Sequence, residues 1–377
     1  MNLRDFIAWR GDLTFDMIPF NHIDAAIFSE LSMIDLDDFL IENDKNVKMT
    51  IKELSELMKK EDVKLTYSTP LHFLDNNIFE MIKEMGTSKR YQDLVVGNYV
   101  NLISKDEETQ FSALTIDLDH NTRIVSFSGT DDTLVGWKEN FNMLYQENIS
   151  GHHLSCDYLE KVYKKYRYLY IVGHSKGANL TLYSTLHANP KIQRRIVEAI
   201  GFDGPGITED ISLIEGFDKN IGKVIFYLPE SSIIGALFDH YEKVKVVKSE
   251  AKGLFQHDLF SWKVLGNDFV YAEGRSKESI HIENKIKTMI SNMDEHTKHS
   301  FVDEGYRLLT SANTEKLSDL NKDMFKVAKN FLGIDQRTRN MFLKIFKDLA
   351  MDKIIRESVI DNVVTYVKNK NLKNKNN

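Results

Sequence analysis

One serine stands in a pattern that could make it a nucleophile. Residues 173–177 read GHSKG, of the form G-x-S-x-G, and they follow the apolar run 168–172 and precede a helical pattern. A serine at a sharp strand-to-helix turn adopts strained backbone angles, and glycines two positions before and after it let neighbouring backbones approach. The pattern predicts that Ser175, flanked by Gly173 and Gly177, projects above a sheet edge beside the positive end of a helix.

A serine that attacks a carbonyl needs two hydrogen-bond donors for the oxyanion, and losing one donor costs about 100- to 1000-fold in rate. The backbone N–H after the nucleophile, here that of Lys176, is one such donor. The other comes from the loop after an earlier strand. Thr130 follows the apolar run 123–127 and precedes a helical segment that begins at Gly136. Thr130 and Lys176 are therefore the predicted oxyanion donors.

The serine also needs a general base, and the usual chain order in such hydrolases is serine, acid, histidine. The histidines after Ser175 are His187, His240, His257, His281, His296 and His299. The first lies on the helix after the serine turn, and the last three lie in C-terminal helical patterns. His257, in a loop beyond the expected sheet strands, is the favoured base, ahead of His240.

An acid must orient the imidazole and stabilise its charged form. Asp203 ends the strand pattern 197–202, at the carboxyl edge of a parallel sheet, where such folds bind their ligands. Glu230 and Asp239 follow the next strand pattern. Asp203 is favoured, and Glu230 and Asp239 stay open as alternatives.

Strand and helix patterns alternate through the middle of the chain. Residues 91–272 predict an α/β fold with a mostly parallel central sheet and an early antiparallel hairpin over 111–127. Residues 1–90 predict a helical lead-in packed on that core. Residues 273–365 predict a C-terminal helical extension, and the basic tail 366–377 is expected to be disordered.

Composition restricts the class of protein. The chain has 377 residues, 42% of them hydrophobic, which is enough for a large core, and a net charge of −7, which argues against nucleic acid as a partner. One cysteine, Cys156, excludes an internal disulfide framework. The sequence has no apolar run long enough for a membrane span and no secretory signal pattern. The expected location is the cytoplasm, and peripheral contact with a membrane stays open.

The motifs together resemble the class-three lipases, which are α/β hydrolases with an F-R-G-S/T turn, a G-H-S-x-G elbow and a Ser-Asp-His triad. A closer resemblance is to a poorly characterised family of lipase-like bacterial proteins, whose shared blocks span about residues 8 to 264. The blocks are WRGDLTF, GTDDTLVGWKENF, GHSKGANLTLY, FDGPG and QHDLFSW. The resemblance implies an α/β-hydrolase fold and ester hydrolysis. It assigns Ser175 as nucleophile, His257 as base, and Thr130 and Lys176 as oxyanion donors.

The FDGP turn at 202–205 is similar to the G-L-D-P turn of pancreatic-type lipases, and this likeness supports Asp203 as the acid. Three features depart from the class-three pattern. Ser128 replaces the arginine of the F-R-G turn, and Lys176 puts a cation where lipases usually have an apolar residue. Residues 229–232 read PESS where class-three lipases place their aspartate. The lysine indicates either an anionic ester substrate or a solvated side chain.

The sequence thus predicts a serine esterase that cleaves a small-molecule or lipid ester through an acyl-enzyme and uses no metal or organic cofactor. Two alternatives remain. One is an inactive binding protein with the same fold, because proteins that share a fold need not share an activity. The other is a thioesterase or peptidase that uses the same triad.

Overall fold

One eight-stranded sheet organises the fold. The computed structural model describes residues 1–37, 48–60, 76–163, 166–310, 315–316 and scattered positions between 330 and 343. The strands are β1 (Met49–Thr50), β2 (Val95–Ser104), β3 (Thr109–Asp117), β4 (Thr122–Phe127), β5 (Tyr168–His174), β6 (Ile196–Phe202), β7 (Val224–Pro229) and β8 (Lys243–Val247). They lie side by side in chain order, antiparallel from β1 to β4 and parallel from β4 to β8.

A second, two-stranded sheet pairs β9 (Val264–Leu265) with β10 (Asp268–Phe269). The described helices are α1 (Leu3–Arg10), α2 (His22–Leu31), α3 (Ile51–Lys60), α4 (Asn76–Met85), α5 (Leu134–Asn142), α6 (Ser150–Val162), α7 (Lys176–His187), α8 (Pro190–Gln193), α9 (Phe217–Ile221), α10 (Lys277–Ser291) and α11 (Glu295–Thr310). No helix within the described ranges is long and apolar enough to cross a membrane.

Helices cover both faces of the sheet. The parallel strands follow one another in space as in sequence, and right-handed crossovers then place their connecting helices on one face. The core on that face joins α6, α7 and α8 to strand residues such as Ile171. The opposite face packs against α1 to α4 and includes Val172, the next residue along β5. Because β5 is buried on both faces, its sequence is a continuous apolar run rather than an alternating one.

Helix α2 is buried from Ile23 to Leu31 and packs against β5. Asn21 forms a capping box with Asp24 at its start. Asp24 also accepts hydrogen bonds from the Arg90 guanidinium, at 2.8 Å to Nε, and from the Tyr91 hydroxyl at 2.7 Å. A buried carboxylate is tolerated when it is paired in this way. The ion pair therefore fixes α2 against the segment that leads into β2.

The C-terminal helices attach on two sides of the sheet's carboxyl edge. The Ser276 N–H before α10 donates to the Glu230 carbonyl at 2.7 Å, and the Ser279 hydroxyl donates to the Ser232 carbonyl. Helix α11 packs on α5, where the buried ammonium of Lys138 binds Asp303. The two helices thus contact the loop after β7 and the helix after β4.

The strand predictions are confirmed from β2 to β7, as is the antiparallel hairpin formed by β3 and β4. The amphipathic pattern over residues 51–60 is the helix α3. The predicted strand list omits two members of the sheet, β1 and β8. The part of the predicted C-terminal extension from residue 344 to 365 and the tail 366–377 lie outside the described residues.

Candidate active site

Ser175 forms the turn between β5 and α7 in a strained conformation. Its φ is 57° and its ψ is −123°, in a region that residues with a Cβ rarely occupy. The Ser175 N–H donates to the carbonyl of Phe202 at 2.9 Å, which ties the turn to the end of β6. Strain of this kind persists only where the surroundings hold it, and it is typical of functional sites.

The glycines of the elbow permit close backbone packing. A Cβ on Gly173 would clash with the carbonyl group of Gly177, and one on Gly177 would clash with the carbonyl oxygen of Phe127. A Cβ on Gly129 would lie 3.3 Å from the Cβ of Ser175. The loop after β4, which carries Thr130, therefore lies directly beside the serine.

His257 and Asp203 meet at the same edge of the sheet. Nδ1 of His257 lies 2.7 Å from Oδ2 of Asp203, and both side chains are buried. Oδ1 of Asp203 accepts hydrogen bonds from the Ser232 hydroxyl at 2.5 Å and the Gly235 N–H at 3.3 Å. Because an ionised carboxylate only accepts, Nδ1 of His257 carries the proton and Nε2 is left as an acceptor.

The other acids and the second histidine have different partners. Asp239 is largely exposed, and its Oδ1 lies 3.3 Å from the ammonium of Lys287. Nδ1 of His240 lies 2.5 Å from Oε1 of Glu242. Glu230 contributes its backbone carbonyl to the start of α10. Among the described contacts, Asp203 is the acid that the fold brings to His257.

The two predicted oxyanion donors lie on the serine turn and on the loop that packs beside it. Lys176 is the first residue of α7, where a backbone N–H has no acceptor within its own helix. Thr130 is buried, and its hydroxyl accepts a hydrogen bond from the Asn140 side chain at 2.7 Å. That bond attaches to α5 the loop whose Gly129 lies beside the serine.

The side chain of Lys176 corrects both sequence interpretations of that residue. It is buried, and its ammonium lies 2.9 Å from Oε2 of Glu139 in α5 and 2.5 Å from Oε1 of Gln110 in β3. The Gln110 backbone carbonyl accepts a third hydrogen bond. The lysine is therefore neither solvated nor available to an anionic substrate, because a buried ammonium needs these acceptors to offset its desolvation.

A second buried histidine lies next to the first. The rings of His174 and His257 are 4.6 Å apart between centroids. Nδ1 of His174 lies 2.9 Å from Oε1 of Glu30 in α2, and both side chains are fully buried. Burial, reinforced by the charge of His257, lowers the pKa of His174 to about 3. Sequence reasoning did not single out Glu30, although an acid within the apolar stretch of α2 was a visible signal.

Asp258 adds another acid to this cluster. Its Oδ1 accepts the Phe260 N–H at 2.9 Å. Burial raises the pKa of Asp258 to about 7, and the charge of Glu30 raises it further, against the lowering effects of that hydrogen bond and of His257. Perturbed acids and bases that gather beside a strained serine are typical of an active site.

The parallel run β4 to β8, with a serine at positive φ between β5 and α7, defines an α/β-hydrolase fold. A family model described as Mbeg1-like matches residues 85–307, more than half of the chain. The chain therefore belongs to the Mbeg1-like family, which is lipase-like.

Among solved structures, the crystal structure of M37 lipase is similar to this chain. The similarity covers 57% of this chain and 69% of that one, with 15% sequence identity and a TM-score of 0.34. No curated protein matches the sequence.

Proposed function

We propose that this protein is a serine hydrolase that cleaves carboxylic esters with Ser175, His257 and Asp203. The observation that carries the proposal is the buried hydrogen bond of 2.7 Å between His257 and Asp203, beside the strained serine turn. His257 packs on His174, the residue directly before Ser175. An acid-oriented imidazole beside a half-buried serine is the arrangement that nucleophilic acyl transfer needs.

The proposed reaction assigns a role to each residue of the site. The Ser175 oxygen attacks the ester carbonyl while Nε2 of His257 takes the hydroxyl proton, and Asp203 stabilises the imidazolium that forms. The backbone N–H groups of Lys176 and Thr130 donate to the oxyanion. His257 then gives the proton to the departing alcohol. Water, deprotonated by His257, attacks the acyl-enzyme, releases the carboxylic acid and restores the Ser175 hydroxyl.

The proposed substrate is an uncharged ester of a small molecule or lipid. Lys176 is the cation nearest to the nucleophile in sequence, and its ammonium donates hydrogen bonds to Glu139 and Gln110. An anionic group on the substrate would therefore find no partner in that side chain. The lipase-like family favours an ester over a thioester or peptide bond, which we treat as competing substrates in the test.

We also propose that α10 and α11 border the substrate cleft. Helix α10 is bonded to the loop that supplies Ser232, a partner of Asp203, and α11 packs on α5, which holds the Thr130 loop. The two helices thus reach opposite sides of the serine turn. We propose that the described parts of the C-terminal extension (residues 273–365) and of the lead-in (residues 1–90) enclose the 91–272 core in this way.

A fluorophosphonate probe tests the nucleophile. We expect the full-length protein to be labelled at Ser175, and Ser175→Ala to lose both the labelling and nearly all hydrolysis of nitrophenyl esters. Ser212→Ala, on a surface 3-10 helix, is the matched control and should keep both. A folded wild-type chain that reacts with neither the probe nor the esters would favour the alternative of an inactive binding protein. Faster turnover of thioester or peptide substrates would reassign the substrate class.

A further inference from the structure

The buried pair formed by Glu30 and His174 has no step in the proposed reaction. We propose that it is a positioning pair, which holds the loop of His257 in place and raises the basicity of the His257 imidazole. The inference rests on the proposed function and deepens it, since it assigns a role in the same site to the N-terminal helix α2. Neither residue contacts the ester, so neither is a catalytic residue.

The location of Glu30 is the first part of the argument. Glu30 lies near the end of α2 and is fully buried, although an isolated buried carboxylate is costly. Its Oε1 lies 2.9 Å from Nδ1 of His174, so the carboxylate is directed at the serine turn. A chain that needed only packing at this position could use an apolar residue at lower cost.

The contacts of His174 form the second part. Its ring packs on that of His257 at 4.6 Å, with the ring planes inclined by 42°. The backbone of His257 also acts on this ring and, with the charge of Asp203, raises its pKa against the lowering effect of burial. Glu30 is therefore connected through one imidazole to the ring of the proposed base.

Electrostatics form the third part. Within the described ranges, the ionisable groups that act on this cluster include Glu30, Asp203, His257 and Asp258, besides His174 itself. The lowered pKa of His174 leaves its ring neutral at pH 7, and the charge of Glu30 acts on this cluster, since it raises the pKa of Asp258. A negative charge in a water-poor interior favours the protonated form of a nearby imidazole. Glu30 thus adds to the effect of Asp203.

A titration that needs no turnover tests the proposal. The full chain with Ser175→Ala, labelled with ¹⁵N-histidine, is titrated by NMR with and without Glu30→Gln. We expect the glutamine to lower the pKa of His257 by roughly half a unit or more, because the amide keeps the shape and removes the charge. Glu198→Gln is the matched control, since Glu198 also pairs with a histidine, His22, at 3.0 Å on a different part of the sheet.

A shift with Glu30→Gln no larger than that of the control overturns the proposal. Should Glu30→Gln fail to fold, Glu30→Met is the second variant, because an apolar residue of similar volume needs no hydrogen-bond partner. It is expected to give the same downward shift, and an unchanged His257 pKa in that variant also overturns the proposal.

Kinetics give an independent check on chains that retain Ser175. The acid limb of the pH profile of kcat/KM should move to lower pH in Glu30→Gln, with kcat reduced several-fold and KM unchanged. A change in stability alone, with the pH profile in place, contradicts the positioning role. Failure of the proposed function is recognised separately, because the wild-type protein would then neither react with the fluorophosphonate nor hydrolyse esters, whatever the NMR titration shows.

Discussion

At the scale of single residues, the site combines a strained serine with ionisable groups whose pKa values burial has shifted. Asp203 keeps both carboxylate oxygens occupied by donors, so its geometry is held before any substrate arrives. Asp258, the next residue after the proposed base, has a pKa raised to about 7, chiefly by burial. Three donors surround the carboxylate of Asp203, and the described donor to the carboxylate of Asp258 is the Phe260 N–H.

Asp258→Asn should stabilise the protein more at pH 8 than at pH 5. The folded-state pKa of Asp258, about 7, lies above the ordinary value of 3.8, so the folded protein holds the extra proton between these values. Stability from this group is complete below pH 3.8 and is lost as the pH rises through about 7. Asparagine cannot ionise and retains an acceptor for the Phe260 N–H.

Chemical denaturation at both pH values measures this difference. The free energy of unfolding of the variant relative to wild type should rise by about 1–3 kcal/mol from pH 5 to pH 8. An equal difference at the two pH values would show that Asp258 does not titrate in this range.

At the scale of elements, the site depends on how closely the serine turn and the loop after β4 approach each other. The two segments touch through glycines, because any Cβ at Gly177 would meet the backbone of Phe127. The same contact sets the distance between the two proposed oxyanion donors. Small residues at this junction are therefore a requirement of the site as well as of packing.

Gly177→Ala should lower kcat by about 100-fold or more, because the added methyl group pushes the Thr130 loop away from Lys176 and one oxyanion donor is lost. Gly274→Ala is the matched control. A Cβ there meets no atom within 4 Å, so activity and stability should stay close to wild type. Steady-state kinetics with a nitrophenyl ester measure the effect. A Gly177→Ala protein with normal kcat would exclude Thr130 and Lys176 as the donors.

At the scale of the whole molecule, buried histidines couple folding to acidity. Burial lowers the pKa of His152 to about 4 and, together with the charge of His257, that of His174 to about 3. Nδ1 of His152 accepts the Ile149 N–H at 3.3 Å and its Nε2 lies 2.7 Å from Oδ1 of Asn179. These contacts satisfy a neutral ring, so protonation disrupts α6 and α7 together.

The free energy of unfolding should decrease as the pH is lowered below about 6.5. The rings of His152 and His174 are then protonated in the unfolded chain and remain neutral in the folded chain. Each histidine contributes a slope of at most about 1.4 kcal/mol per pH unit between pH 6 and pH 4.5. His152→Gln should reduce the slope of the free energy of unfolding against pH by the contribution of one histidine. The loss of stability that the substitution itself causes is measured at pH 8, where both rings are neutral. A slope that does not change with His152→Gln would contradict the prediction.

The sequence by itself determined the local features of this protein. The apolar runs of β2 to β7, the G-x-S-x-G turn and the antiparallel hairpin are visible because periodicity and turn chemistry act over a few neighbouring residues. Its limits appear at Lys176, whose side chain was expected either near an anionic substrate or in solvent and is instead paired with residues of β3 and α5. They appear also in the choice between Asp203, Glu230 and Asp239, which the chain order left open.

Only the tertiary structure decided which distant groups meet. His257 and Asp203 are 54 positions apart, and the His174 ring finds Glu30 on a helix that precedes the whole parallel sheet. Such pairs depend on the arrangement of whole layers, since each partner is brought to the sheet edge by a different element. Burial shifts the pKa values of His174 and Asp258. It too depends on the packing of the whole molecule rather than on any local segment.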